Sequence, residues 1–174
     1  MGALLASCGG GDDNPEVTTT VRPDQSRSDA AVTNSLLDLE RTAVIAYELA
    51  GRRLTGAARA TAHMFRDHER DHQRAMEDAL RDLGAHPVPP RPRASYVDGF
   101  PPLRSDQDVL RFVLDVENTQ VAAYGDSLGS VVTPELRATL LAILGTQAEH
   151  MSVILGELNE PQAARALVTG SAPT

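Results

Sequence analysis

The sequence has no lysine and no tryptophan, a single cysteine, and only three tyrosines and three phenylalanines. One cysteine excludes an intrachain disulfide framework. With lysine missing, all 16 basic residues are arginines; they are scattered, and the formal net charge is −8. No basic stripe exists to track a phosphate backbone, so nucleic acid is not an expected partner. The scarcity of aromatics leaves the core to Ala, Leu and Val, which favours helices packed through small aliphatic side chains. Beyond the N-terminal stretch, no segment reads as long and apolar enough to cross a membrane. At 174 residues, 41% hydrophobic and 23% charged, the chain can build one real core, and one folded domain is the expectation.

Apolar residues recur at helical spacing over four stretches: about Ala30 to Arg53, Gly56–Gly84, Asp106–Gly129 and Pro134–Leu158. End signals accompany them. Gly51 and Gly84 lie near C-termini, Ser105 with Asp108 reads as an N-cap and N3 pair, and Thr133-Pro134 as an N-cap followed by N1. Between the second and third helices, His86 to Pro102 is too rich in proline for a helix and long enough to be a crossover. The other two connections are short, so each flanking pair of helices is an expected antiparallel hairpin. The fold predicted is all-α, a four-helix bundle of two hairpins joined by a long Pro-rich crossover. Its limits are residues 30–160, with 1–29 outside the bundle and 161–174 as a short tail that forms a capping helix through Val168 before fraying.

The chain also repeats itself. Leu37-Asp-Leu-Glu-Arg-Thr-Ala-Val-Ile-Ala-Tyr47 aligns with Leu114-Asp-Val-Glu-Asn-Thr-Gln-Val-Ala-Ala-Tyr124, and with one inserted residue Glu69-Arg-Asp-His72 aligns with Gln147-Ala-Glu-His150. The second hairpin reads as a copy of the first.

Each predicted apolar stripe is interrupted near its middle by polar residues: Glu40 in the first helix, Glu69 and His72 in the second, Glu117 in the third, Gln147 and His150 in the fourth. In a bundle of helices of similar length these midpoints meet at one level. Burying three carboxylates together costs several kcal/mol unless cations or shared protons compensate. Glu and His three apart lie on one helix face, so Glu69 and His72 can address one ion or two neighbouring ions. Divalent metal ions are therefore the partner these residues are placed to hold. The competing reading is a polar layer satisfied by its own hydrogen bonds, with Glu40 or Glu117 neutral or bonded to nearby phenols and imidazoles.

This arrangement resembles the ferritin-like di-iron carboxylate superfamily, and the chain is similar to the bacterial ferritin-like domain lipoproteins within it, over about residues 30–158. The family pattern is one Glu from each of two helices and Glu-x-x-His from the other two. The resemblance implies Glu40 and Glu117 as terminal carboxylate ligands, Glu69 as a bridging carboxylate, and His72 and His150 as one imidazole per metal. Gln147 stands where a second bridging Glu is expected; with three carboxylates instead of four, affinity for a second ion should fall. The implied cofactor is iron, two ions or one, with manganese or zinc as alternatives, and none if the centre is vestigial. Glu149 is the alternative fourth carboxylate, but it points about 100° away from His150 on an ideal helix and is the poorer choice.

Other polar residues receive blander readings. His68 and His72, one turn apart, could bind a zinc or copper ion by themselves. His63 and His86 read as solvated, and Asp67, Asp71, Glu77 and Asp78 as a charged outer face paired with arginines. Tyr47 and Tyr124 read as core residues with a hydrogen-bonded tip, or as groups that tune the metal site.

The cysteine closes Leu5-Ala6-Ser7-Cys8, which resembles the lipobox of bacterial lipoproteins and implies Cys8 as the lipid attachment residue, export, and a membrane anchor at the cell envelope. Only seven residues precede Cys8 and none is basic, so the expectation is that the true start lies upstream. Gly9 to Arg27, rich in Gly, Asp, Thr, Pro and Ser, reads as a disordered tether. Two functions from different classes follow: an envelope protein binding iron or another divalent metal, with iron, oxygen or peroxide chemistry; and a metal-free bundle acting as a structural, stress-related or protein-binding module. A homo-oligomer is compatible with either. No Ser/His/Asp or Cys/His arrangement supports a hydrolase.

Overall fold

The computed structural model describes residues 22–163 and 168–170. Cys8 and most of the expected tether lie outside the described residues, as do residues 164–167 of the expected C-terminal helix. Five helices and no strand are formed among the described residues: α1 (Pro23–Arg53), α2 (Gly56–Asp82), α3 (Arg93–Val97), α4 (Asp106–Leu128) and α5 (Pro134–Glu157).

The first helix starts at Pro23 rather than near Ala30. Proline at the first helical position costs no hydrogen bond and arrives with its φ already helical, and the Gln25 side chain accepts from the Arg22 backbone N–H at 3.0 Å. Asp29, expected to lie outside the bundle, is fully buried. Its carboxylate accepts from the backbone N–H of Val132 at 3.2 Å and of Thr133 at 2.9 Å, at the start of α5. Bonds of this kind to a charged group contribute about 1.5–3 kcal/mol each, and here they tie the first helix to the last.

Two residues join α1 to α2, so the helices pack as a hairpin, and α4 and α5 do the same. The hairpins meet α1 against α4 and α2 against α5, closing a ring around one axis. Gly51 lies inside α1, not at its cap: a Cβ there would sit 2.9 Å from the His63 ring, so glycine allows α1 and α2 to approach closely. His63 is correspondingly half-buried, its ring nitrogen 2.9 Å from Arg66, rather than free in solvent. Gly84 does end α2, at φ +70.

The crossover is not entirely irregular. Between Pro92 and Pro101 the chain is free of proline, and α3 forms there. The hydroxyl of its buried Tyr96 donates to Asp38 at 2.8 Å, Arg91 pairs with the same carboxylate at 2.8 Å, and the Arg91 guanidinium lies 4.2 Å from the Tyr96 ring centre. Arg41 and Asn34 hold Val88 through its carbonyl and N–H. The long connection is thus fastened to the outer face of α1.

α5 is long and apolar enough to qualify by composition as a membrane span, with mean hydropathy 1.3 over an 18-residue window, which corrects the expectation that no segment past the N-terminus would. Its inward side nevertheless carries buried Gln147 and His150, and it is an element of the bundle.

Two apolar clusters fill the interior. One gathers Tyr47, Leu54, Phe65, Phe112 and Ile154, the other Leu37, Met76, Leu80, Tyr124 and Leu140. Each fully buried aliphatic side chain stabilises by about 1.5–3 kcal/mol. The polar residues lie between these clusters.

Candidate metal centre

Glu40 on α1, Glu69 and His72 on α2, Glu117 on α4, and Gln147 and His150 on α5 come together in one buried layer, with none more than 8% exposed. Ligand-type atoms of Glu40, Glu69 and His72 lie within 4.8 Å of one another, as do those of Glu69, Glu117 and His150. Glu69 belongs to both groups. His72 Nδ1 lies 3.4 Å from both Glu40 Oε2 and Glu69 Oε2. His150 Nδ1 lies 3.1 Å from Glu117 Oε1 and 3.3 Å from Glu69 Oε1.

The tyrosines cross between the hairpins. Tyr47 on α1 donates to Glu117 on α4, and Tyr124 on α4 donates to Glu40 on α1, both through very short hydrogen bonds. Glu and Tyr are two turns apart on each helix, so reciprocal bonding requires α1 and α4 to run antiparallel. Both hydroxyls are held protonated: burial first, and then the adjacent carboxylates, push their pKa values well above the ordinary 10.0.

His68 does not turn toward His72. Its Nδ1 meets His150 Nε2 at 3.0 Å and its ring stacks on His150 at 5.2 Å between centres, because it leans across to α5 where Phe65 already stacks on His150 at 3.8 Å. The expected His68–His72 pair is replaced by an imidazole contact behind His150. His86 and Glu149 are exposed. The charged face of α2 pairs its aspartates with arginines three residues apart.

Sequence reasoning missed Gln120. It is 1% exposed on α4, one turn from Glu117, and its amide donates to Glu69 Oε2 at 3.1 Å. The available signal was a polar side chain in an otherwise apolar stripe, aligned with Ala43 in the first hairpin.

The electrostatics follow from burial and pairing. Burial and then the Glu69 charge raise the Glu40 carboxyl well above its ordinary value and bring Glu117 to about 7. Burial would raise Glu69 too, but hydrogen bonds from His150 and His72 prevail and hold it below the usual carboxylate range. Burial opposes charge on both histidines, yet the facing Glu40 and Glu69 carboxylates bring His72 to about 10, and those of Glu117 and Glu69 bring His150 to about 9. Without metal, these contacts favour an ionised Glu69 between two protonated imidazoles. Any cation entering must displace protons.

Four helices, each presenting carboxylate, amide or imidazole groups to a shared buried layer, define a carboxylate–histidine helical bundle. A family model described as a ferritin-like domain matches residues 28–160, and the chain belongs to that family. Among solved structures it is similar to a ferritin-like, diiron-carboxylate protein from Bacillus anthracis, with TM-score 0.66 and 17% identity over 78% of this chain and 98% of that one. It is also similar to a two-domain protein from Anabaena variabilis containing DJ-1/ThiJ/PfpI-like and ferritin-like domains, with TM-score 0.65 and 17% identity over 86% of this chain and 40% of that one. No curated protein sequence matches the chain.

Proposed function

We propose that this chain is a metal-binding ferritin-like protein of the bacterial cell envelope that holds iron or another divalent cation in the buried layer. The observation that carries the reading is the pair of three-residue groups sharing Glu69, with ligand atoms within 4.8 Å. Their donors are carboxylate oxygens and imidazole nitrogens, a set that suits iron, manganese and zinc. Glu40 Oε2 supports it further: it is buried and has no hydrogen-bond partner among the described residues, and leaving such an acceptor unmet costs about 1–3 kcal/mol. The Bacillus anthracis protein is described as a diiron-carboxylate protein, which makes iron the first ion to test.

Glu40, Glu69, His72, Glu117 and His150 would hold the metal. Iron, when bound, would supply redox chemistry toward oxygen or peroxide. The chain's own part is to orient the ligands and exclude water: Tyr47 and Tyr124 fix the Glu117 and Glu40 carboxylates, Phe65 supports the His150 ring, and the apolar clusters seal the layer on both sides.

Elemental mass spectrometry of protein purified without chelators or metal-binding tags should find iron or manganese, and the Glu40→Ala/Glu117→Ala double variant should lose it. Absence of metal even after anaerobic ferrous loading would leave a metal-free bundle with a structural or protein-binding role. The envelope assignment rests on Leu5-Ala6-Ser7-Cys8. Metabolic labelling with a clickable fatty acid should mark the native protein in its host, and Cys8→Ala should remove both the label and membrane association; unlabelled native protein would end that part of the reading.

A further inference from the structure

The two halves of the layer are not equivalent. Every carboxylate oxygen in the Glu117 half is hydrogen-bonded by protein. Glu117 Oε1 accepts from Tyr47 and faces His150 Nδ1 at 3.1 Å. With the Gln147 amide turned so that its nitrogen faces the carboxylates, Glu117 Oε2 accepts from it at 2.6 Å and Glu69 Oε1 at 3.2 Å. This orientation satisfies both ends of Gln147, because its carbonyl then accepts from Gln120 Nε2 at 2.9 Å. Turned the other way, Gln147 reaches only Glu69 Oε2, at 3.4 Å. In the Glu40 half the tyrosine bond is matched by Tyr124, but no amide bonds Glu40 Oε2; His72 Nδ1 faces it at 3.4 Å as an ion-pair contact, and among the described residues that oxygen accepts no hydrogen bond.

We propose that the centre is built for one ion, held by Glu40, Glu69 and His72, and that Gln147, positioned by Gln120, closes the Glu117–His150 half with hydrogen bonds. The inference rests on the metal-binding reading above and specifies which half carries it. Gln147 offers N–H groups to the carboxylates and directs its oxygen away, toward Gln120. An N–H donor cannot coordinate a cation, and it occupies the lone pairs of Glu117 and Glu69 that a second ion would need. The aligned segments place Glu69 opposite Gln147 and Ala43 opposite Gln120, so the closed half differs from the open one by two amides. Gln120 is a positioning residue: its N–H groups offer the Gln147 nitrogen no acceptor, so the Gln147 amide turns its oxygen to Gln120 and its own N–H groups to the carboxylates.

Manganese(II) alone is the probe. Metal-free protein is titrated, desalted, analysed for manganese and examined by electron paramagnetic resonance, which separates an isolated ion from an exchange-coupled pair. The wild-type chain should retain about one ion per chain with an uncoupled signal, and Gln147→Glu about two with a coupled signal, since a second bridging carboxylate replaces the amide donor. Glu40→Gln should weaken the single ion by about 100-fold or more, and at least about tenfold more than Glu117→Gln, which preserves shape. Two coupled ions in the wild type, or equal losses in the Glu40 and Glu117 variants, would overturn the one-ion proposal while leaving metal binding intact. No manganese in any variant, with each variant's fold checked by its thermal transition, would instead overturn the metal-binding reading on which it rests.

Discussion

Glu69→Ala should abolish metal loading and destabilise the metal-free protein by about 3–5 kcal/mol, the range for removing one partner from a buried charge cluster. Glu69 is the residue that the two three-residue groups have in common, and its carboxylate faces His72, His150 and the amides of Gln120 and Gln147. Removing it leaves two imidazolium ions without their shared counter-charge and the Gln120 and Gln147 amides each short of one acceptor. The histidines then lose protons they would otherwise keep, which limits the cost but does not remove it. Glu69→Gln should retain more stability than the alanine variant, because it preserves volume and one acceptor oxygen, yet should still lose metal. Urea unfolding and elemental analysis read the two effects separately. A midpoint lowered by less than the equivalent of about 1 kcal/mol, or metal retained in Glu69→Ala, would place the centre elsewhere.

Raising the pH should weaken the metal-free fold and strengthen the metal-loaded one. His72 at about 10 and His150 at about 9 hold protons more tightly folded than unfolded, where the ordinary value is 6.5. Their stabilisation is complete below about pH 6.5 and is lost as pH rises through 9 to 10. Glu117, raised to about 7 from 4.5, acts with the same sign in a lower window, and Glu40 is raised as well. Glu69, held low by the histidines, acts oppositely: its contribution is present above its ordinary 4.5 and fades as pH falls below it. Metal-free protein should therefore be most stable in mildly acid solution and should lose on the order of 2 kcal/mol or more toward about pH 9. A bound cation reverses the slope, because it requires the same histidines and carboxylates deprotonated, and its affinity rises as protons become easier to displace. Thermal melts of metal-free and manganese-loaded protein from about pH 5.5 to about pH 9 should show a gap that widens with pH. A constant gap would mean that the ion binds without displacing these protons.

Much of the architecture was legible because a helix states its buried face in its own sequence. Leu36, Glu40, Ala43, Tyr47 and Ala50 recur at helical spacing, and all are buried on α1. Similar stripes located the other three long helices and put Glu69, His72, Glu117, Gln147 and His150 near the middle of inward faces. The start of α1 was not legible, because residues 23–29 carry little apolar signal; Asp29 is buried through the loop before α5, more than a hundred residues away in the chain. α3 was hidden by the prolines around it, and Gly51, read correctly as lying near the end of α1, gave no local sign that His63 packs against it.

The residues that meet across helices divide in the same way. Periodicity placed Tyr47 and Tyr124 in the core, but their donation to Glu117 and Glu40 depends on the antiparallel register of α1 and α4. His68 and His72 share a helix at a spacing that suits a metal, yet His68 turns to His150 because α5 presents a ring there. Gln120 is, in sequence, one polar residue in an apolar stripe; only helix packing sets Glu69 and Gln147 against its amide.

By itself the sequence determined four long helices, their inward faces, and the kinds of donor group available between them, since all of these follow from side-chain identity and a period of about 3.6 residues. Tertiary structure alone decided which donor meets which acceptor: the shared position of Glu69, the crossed tyrosines, the His68–His150 contact, and the inward N–H groups of Gln147. Helical periodicity fixes the direction a side chain leaves its own axis. Hydrogen bonding and ligation depend on distances of a few tenths of an ångström between different axes, and those are set only when the helices pack.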